Sequence, residues 1–341
     1  MTGAPPVWIT EAEVVELTDL VRAMDAVEQG FVAEGEARAA TMVKTQVSWQ
    51  EDGPAHSLHA VGGVLTAAGL VGTKTWAHTH GGANPLLLLF GAEDGQLRAV
   101  VEAFALGQLR TAAVSGIATR RLATPDADVL AICGTGSQAL PQVAAVAAAR
   151  QLRHVRVFGR DPERRRLFAE RVRSELGIAA EGLSSAADAV RGAPVVTLAT
   201  RATAPFLAAE MVERGTHVNA VGAITPDRAE FEPALLDRCA IVATDSVPGA
   251  RSHSRELQER YGVDGRGWAG LTPLARLAAD DMRRPPGADV TLLKTMGVGL
   301  ADVALGAQVL EEARRGGRGR PLEPTRRVPP RLRLDTVGGN A

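Results

Sequence analysis

The stretch Asp128-Val-Leu-Ala-Ile-Cys-Gly134-Thr-Gly136-Ser-Gln-Ala139 decides the fold. Its apolar run reads as a strand buried on both faces. G-x-G-x-x-A follows, and then an Ala-rich helix over Ser137–Leu152. Gly134 permits the tight turn, Gly136 lets the backbone approach a pyrophosphate, and Ala139 is small enough for strand and helix to pack closely. The helix start offers free N–H groups and a partial positive charge to phosphate oxygens. Pro141 falls near its first turn, where a missing N–H costs little. Gly134, Thr135, Gly136, Ser137 and Gln138 are therefore the candidate dinucleotide-binding turn.

The surrounding texture agrees. Strands are expected at Asp128–Cys133, Val155–Phe158, Val195–Ala199, His217–Val221, Ile241–Thr244 and Val290–Met296. Helices are expected at Pro162–Leu176, Pro205–Arg214 and Leu271–Ala279. Strands alternating with helices of this length mean βαβ units and a parallel sheet. Upstream, Thr10 is placed to cap a helix from Glu11, with apolar residues at Val14, Leu17, Val21 and Met24. Gly-broken strands follow at Val43–Trp49, Ser57–Val64, Leu70–Trp76, Leu86–Phe90 and Leu97–Glu102, then a helix over Gly107–Leu122. A last helix, Asp302–Arg314, precedes a tail rich in Arg, Gly and Pro whose final residues read as a surface-draped or mobile terminus.

Composition narrows the function classes. The chain has 341 residues, 38 Lys+Arg against 39 Asp+Glu and a net charge of −1, so no global basic field exists for nucleic acid or an anionic membrane. Hydrophobic residues at 45% supply large cores, and aromatics at 4% leave few stacking surfaces. Cys133 and Cys239 make neither a disulfide framework nor a zinc quartet and read as buried thiols. Met1–Glu11 lacks a basic segment followed by an apolar core, and the longest apolar runs fall far short of the ~20 residues that span a bilayer. The expectation is a cytoplasmic protein without membrane or nucleic-acid partners.

The end of the second Rossmann strand chooses the cofactor. It reads Val155-Arg-Val-Phe-Gly159-Arg160-Asp161, with Gly159 where an NAD site would place an acid. Arg160 can pair with a 2′-phosphate, which favours NADP over NAD. Asp161 keeps NAD open, or caps the next helix.

On the substrate side, Lys74 sits in an otherwise apolar strand and Arg110 among small residues on a helix. A buried, unpaired ammonium is costly, so Lys74 needs a cleft or an anionic partner. Arg110 offers a two-donor fork suited to a carboxylate. Each taken alone reads as a structural ion pair more readily than as a functional group.

Together these segments resemble the ornithine cyclodeaminase/mu-crystallin family. The resemblance is carried by Gly72-Thr-Lys74, Arg110-Thr-Ala-Ala-Val-Ser115-Gly-Ile-Ala-Thr and the GTGSQA turn. Gly215-Thr-His217-Val-Asn219-Ala-Val-Gly222 and Thr291-Leu-Leu-Lys294-Thr-Met-Gly297-Val-Gly-Leu-Ala-Asp302 complete it. It implies an α/β fold: a central Rossmann dinucleotide-binding domain over 125–297 and a discontinuous α+β substrate-binding and dimerisation domain from 1–124 and 298–341. It also implies a homodimer, and a substrate that is an amino or imino acid exchanging a hydride with a nicotinamide. By that resemblance Lys74 lies beside the substrate carboxylate and reacting carbon, and Arg110 holds the carboxylate. Lys44 stands near a position that is usually Arg, Thr200 lies beside the cofactor, and Val221 and Gly222 lie near the nicotinamide.

One departure matters. Ornithine cyclodeaminases carry an acid two positions after the Gly of the His-x-Asn-Ala-x-Gly string, and here that position is Ile224, which can neither take a proton nor pair with an ammonium. His59 and His80 are candidate walls of the substrate pocket. His78 and His80 lack acidic or Cys partners nearby, so no metal is expected. The favoured reading is an NAD(P)H-dependent imine reductase or amino-acid dehydrogenase. The alternatives are a cyclodeaminase with recycled nicotinamide and a cofactor-binding protein with little catalysis.

Overall fold

A computed structural model describes residues 4–50, 53, 55–262 and 265–332. Two eight-stranded sheets organise the described residues. The second is parallel throughout, in the order Ala179–Leu183, His154–Phe158, Val129–Cys133, Val195–Leu198, His217–Ala220, Val290–Lys294, Cys239–Thr244, Thr272–Pro273. Val129–Cys133 is buried at every position, as a strand covered on both faces must be. Strand order reverses beside it, toward Val195–Leu198, and that reversal opens a crevice at the carboxyl ends of both strands.

The first sheet is antiparallel apart from the pairing of Val7–Ile9 with Leu97–Glu102. Its long central hairpin joins His56–Leu65 to Leu70–His78. Ala39–Thr41 and Thr45–Trp49 pair in turn along the outer edge of His56–Leu65. Because paired residues share a face, Lys74, Trp76 and His78 lie on one face with Val61, His59 and Ser57. Val47 and Leu58 occupy the other.

The helices Leu20–Gly35 and Gly299–Arg315 cover this sheet within one core that includes Phe31, Leu87, Leu89, Val303 and Leu305. Gly299 makes the approach possible: a Cβ there would stand 2.2 Å from the Gly62 backbone nitrogen. The helix Phe104–Leu122 runs between the two sheets. Asn219 Nδ2 donates to Thr119 Oγ1 at 3.0 Å, and Thr291 Oγ1 donates to the Leu122 carbonyl at 2.9 Å.

Several expectations need correction. The helix expected at Pro205–Arg214 is absent; only a 3-10 turn, Ala209–Met211, forms there. Its backbone is bonded elsewhere: the Glu230 carbonyl accepts from Phe206 and Leu207 N–H, and Arg238 donates to the carbonyls of Ala209 and Val212. The helix from Glu11 ends at Leu17, and Asp19 caps a second one by accepting from Arg22 N–H at 2.8 Å. The helix expected from Leu271 begins at Leu274, and the strand expected through Met296 stops at Lys294. The helices Val247–His253 and Arg255–Tyr261, capped by Ser246 and Ser254, were not anticipated. In the tail, Arg320–Pro321 pairs antiparallel with Val7–Trp8, and residues 333–341 of the expected terminus lie outside the described residues.

Candidate active site

The crevice has a volume of about 630 Å³ and is lined by Gly134, Thr135, Gly136, Gly159, Arg160, Asp161 and Thr200 among others. Gly134 turns at φ +118°, and a Cβ there would sit 2.3 Å from the Ala199 carbonyl oxygen. A Cβ on Gly136 would meet nothing within 4 Å, so the turn leaves open space in front of the helix Ala139–Ala149. Open backbone before a helix N-terminus is what a pyrophosphate requires. Ser137 is exposed at this turn and Gln138 half-buried.

A Cβ on Gly159 would come within 3.1 Å of Thr135 Cγ2, so a side chain there would need the Thr135 methyl to give by a few tenths of an ångström. The Asp161 carboxylate accepts from Arg164 N–H at 2.9 Å as the cap of helix Pro162–Leu176. Arg165 donates to the Gly159 carbonyl at 2.6 Å, and Arg166 pairs with Glu163 and Glu170. Arg160 and Arg164 are exposed at the crevice with no side-chain partner among the described residues.

The loops at the sheet's carboxyl edge are held by a buried network. Glu230 accepts from Thr200 N–H (2.6 Å), Thr200 Oγ1 (2.8 Å), Gly222 N–H (2.8 Å) and Ala223 N–H (3.0 Å). Burial pushes its carboxyl above the usual range, with the Lys294 charge and these hydrogen bonds pulling it back. Lys294 pairs with Glu256 at 3.1 Å, both fully buried, and Glu256 also accepts from Glu230 N–H. The Thr200 hydroxyl is thus committed to Glu230, and Val221 is buried beside the same loop.

A cationic cluster lies against the loop that follows Val290–Lys294. Lys74, 4% exposed, places Nζ 2.6 Å from Asp302 Oδ1 and 5.3 Å from the Trp76 ring centroid. Arg110 Nε donates to the same oxygen at 3.2 Å. Burial pulls the Lys74 ammonium down to about 8; Asp302 resists, and Arg110 and Lys44 push further down. Burial and the Arg110 charge also hold Lys44 below the ordinary lysine range. His59 stacks on Trp76 at 4.7 Å, bonds Ser57 Oγ at 2.7 Å, and is held below the usual imidazole range by burial, Lys44 and His78.

A Cβ on Gly297 would stand 3.4 Å from Arg110 Nη1, so the guanidinium rests on the loop after Val290–Lys294. Buried Asp245 fixes that loop, accepting from Met296 N–H at 2.7 Å and Gly297 N–H at 2.9 Å. Gln142 Nε2, on the helix behind the Gly-rich turn, donates to the Thr111 carbonyl at 3.4 Å, which ties the Arg110 segment to the nucleotide side.

The structure therefore brings Lys44, His59, Lys74 and Arg110 together. It does not bring His80 to them: His80 is exposed and meets His56 edge-on at 4.9 Å. The single carboxylate expected between Lys74 and Arg110 is occupied by the protein's own Asp302. Ile224 packs against the second core. Sequence reasoning missed Asp302, Glu230, Asp245 and the Lys294–Glu256 pair as site-building residues. One signal was available: the chain has thirty-five arginines and three lysines, and those three are Lys44, Lys74 and Lys294. Among the described residues, no cluster of His, Cys, Asp or Glu could hold a metal, and no helix is long and apolar enough to cross a membrane.

A parallel sheet with a Gly-rich crevice at its switch point defines a Rossmann dinucleotide-binding protein. More narrowly, the chain belongs to the ornithine cyclodeaminase/mu-crystallin family, whose model matches residues 6–317. It is 37% identical over 171 residues to mouse ketimine reductase mu-crystallin, spanning about half (53%) of that relative's length. It is 26% identical over 327 residues to a Bacillus cereus Δ1-pyrroline-2-carboxylate reductase, covering 92% of this chain and 97% of the relative. Among solved structures, iminosuccinate reductase of Paracoccus denitrificans with NAD+ superposes at a TM-score of 0.86 and 26% identity, covering 94% of this chain and 99% of that one. The fold is also shared with Thermococcus litoralis Δ1-pyrroline-2-carboxylate reductase in complex with NADH and L-proline, at a TM-score of 0.85 and 22% identity, covering 93% of this chain and all of that one.

Proposed function

We propose that the chain is an NAD(P)H-dependent imine reductase acting on an α-imino acid, with amino-acid oxidation as the reverse reaction. The observation that carries this is the cationic cluster beside the loop at the carboxyl end of Val290–Lys294, a strand of the nucleotide-binding sheet. Lys74 and Arg110 share one carboxylate, Asp302, and Lys44 lies within the field of Arg110 with no ion pair of its own among the described residues, so it offers a cation to an anionic substrate. An α-imino acid has one obligatory anion beside its reacting carbon.

The two-part arrangement proposed is a dinucleotide-binding domain over 125–297 and a substrate domain over 1–124 and 298–341. Gly134, Thr135, Gly136, Ser137 and Gln138 would hold the pyrophosphate, and Thr200 and Val221 would flank the nicotinamide end. The nicotinamide supplies the hydride. Arg110 and Lys44 orient the carboxylate, which fixes the C=N carbon in place. Lys74, whose proton affinity is drawn toward neutrality, gives a proton to the nitrogen as negative charge develops there. His59 and Trp76 form a wall beside Lys74 that shapes the substrate's side chain.

NADP is the preferred cofactor in this reading. Gly159 leaves no acid for the ribose, Asp161 is engaged as a helix cap, and Arg160 faces the crevice unpaired. The NADH and NAD+ complexes of the two structural relatives carry the alternative. A homodimer is supported by exposed apolar residues Val47, Trp49 and Leu58 along one sheet edge, and a reducing, cytoplasmic setting by free Cys133 and Cys239. Ile224 weighs against cyclodeamination. The test is a panel of NADPH and NADH with pyrroline-2-carboxylate and with pyruvate plus amines, followed by nicotinamide absorbance. Imine-dependent loss of absorbance, faster with NADPH, is expected. Release of ammonia from ornithine without net nicotinamide consumption would favour the cyclodeaminase instead.

A further inference from the structure

We infer that Asp302 is a positioning residue of this site: from the first turn of the C-terminal helix it aims the Lys74 ammonium and keeps it charged, so that Lys74 has a proton to give. The inference rests on the proposed reduction for its chemistry and on the geometry for Asp302 itself.

Asp302 is fully buried and binds both Lys74 Nζ and Arg110 Nε through one oxygen, Oδ1. Its other oxygen, Oδ2, is buried with no partner among the described residues. Leaving a buried acceptor unmet is costly, and an ion pair serving stability alone gains nothing by it. The comparison lies in the same molecule. Lys294 and Glu256 form the other fully buried lysine–carboxylate pair, and there both carboxylate oxygens are engaged, by Glu230 N–H and by Ser254 Oγ as well as by Lys294. Asp302 is shared between two cations and satisfied on one side only.

The groups acting on Lys74 come from four elements. Asp302 on the C-terminal helix is the anion. Arg110 on the helix Phe104–Leu122 and Lys44 before the edge strand are cations, and the Trp76 ring lies on Lys74's own strand. Desolvation and two neighbouring cations favour the neutral amine; Asp302 is the one charge that opposes them, and the Trp76 ring adds a weaker attraction for the ammonium. Lysine rather than arginine is informative here. Arginine supplies positive charge at nearly every other basic position of this chain, yet it cannot release a proton in the neutral range.

With three lysines in the chain, protein labelled with ¹³C at the lysine ε-carbon gives three signals, and Lys74→Arg identifies the relevant one. In the wild type that signal should titrate near 8. Asp302→Asn keeps the shape and removes the charge. It should move the midpoint down by about one pH unit or more, and with pyrroline-2-carboxylate and NADPH move the alkaline limb of kcat equally, a loss of about fivefold at pH 8. Asp302→Glu should return the limb toward its wild-type position. If Asp302→Asn does not fold, Arg110→Gln leaves Asp302 Oδ1 to Lys74 alone and removes a neighbouring cation, so it should raise the Lys74 midpoint. An unmoved Lys74 titration in either folded variant, or loss of kcat and KM with the pH limb unmoved, overturns the inference. A shifted titration in a protein that reduces no imino acid overturns the proposed reaction and leaves the Asp302 coupling standing.

Discussion

At the scale of single residues, the site separates binding from proton transfer. Arg110 acts on a carboxylate present in both ground and transition states, so Arg110→Ala should raise KM strongly and lower kcat little, read from steady-state kinetics with a cyclic imino acid. Lys74 acts while charge develops on nitrogen. Its ammonium is half titrated near 8, so kcat for reduction should fall as pH rises through that value, and Lys74→Ala should remove the limb. Arg160→Ala should cut the NADPH-over-NADH preference by about 1.5–3 kcal/mol, the worth of a charge-assisted contact, measured by titrating both nucleotides. Wild-type protein that binds NADH more tightly than NADPH would contradict that assignment. The residues legible in the sequence were those whose role is local. Gly134 and Gly136 follow from turn geometry, and Lys74 from the cost of an ammonium in an apolar strand. Asp302 closes one of the strings that carry the family resemblance, but its role was not legible because its partners lie 228 and 192 residues away.

At the scale of elements, the loops at the nucleotide edge depend on buried charge. Removing one member of the Lys294–Glu256 pair leaves the other uncompensated, so Lys294→Met should cost about 3–5 kcal/mol, seen as a lower urea midpoint. The double variant Lys294→Met/Glu256→Leu should recover part of that loss, because Glu256 no longer stands unpaired while buried Glu230 still lacks the Lys294 charge. Strands and long helices of the parallel sheet were readable because their apolar patterns are strong. Pro205–Arg214 failed for a physical reason. Its composition suits a helix, but its backbone groups are taken by Glu230 and Arg238 from elsewhere in the chain. The helices at Val247–His253 and Arg255–Tyr261 are each seven residues long, too short for periodicity to stand out.

At the scale of the whole molecule, the antiparallel sheet divides its faces by alternation. One face of the edge carries His59 and Ser57 in line with Lys74, and the other carries Val47, which is 59% exposed, and Leu58, which is 45% exposed. An apolar strand edge of this kind is normally covered. Sedimentation at micromolar concentration should show a dimer, and Val47→Glu/Leu58→Glu should shift it toward monomer; a wild-type monomer would contradict the proposed assembly. Reduction of the imine delivers the hydride to the C=N carbon, and isotope transfer reads that atom. The protein is incubated with pyrroline-2-carboxylate and NADPH carrying deuterium on the transferring face of C4, and the product is analysed by mass spectrometry. The account predicts proline with one deuterium at Cα for each nicotinamide oxidised. Unlabelled proline, or cofactor that stays reduced while the imine persists, would contradict it.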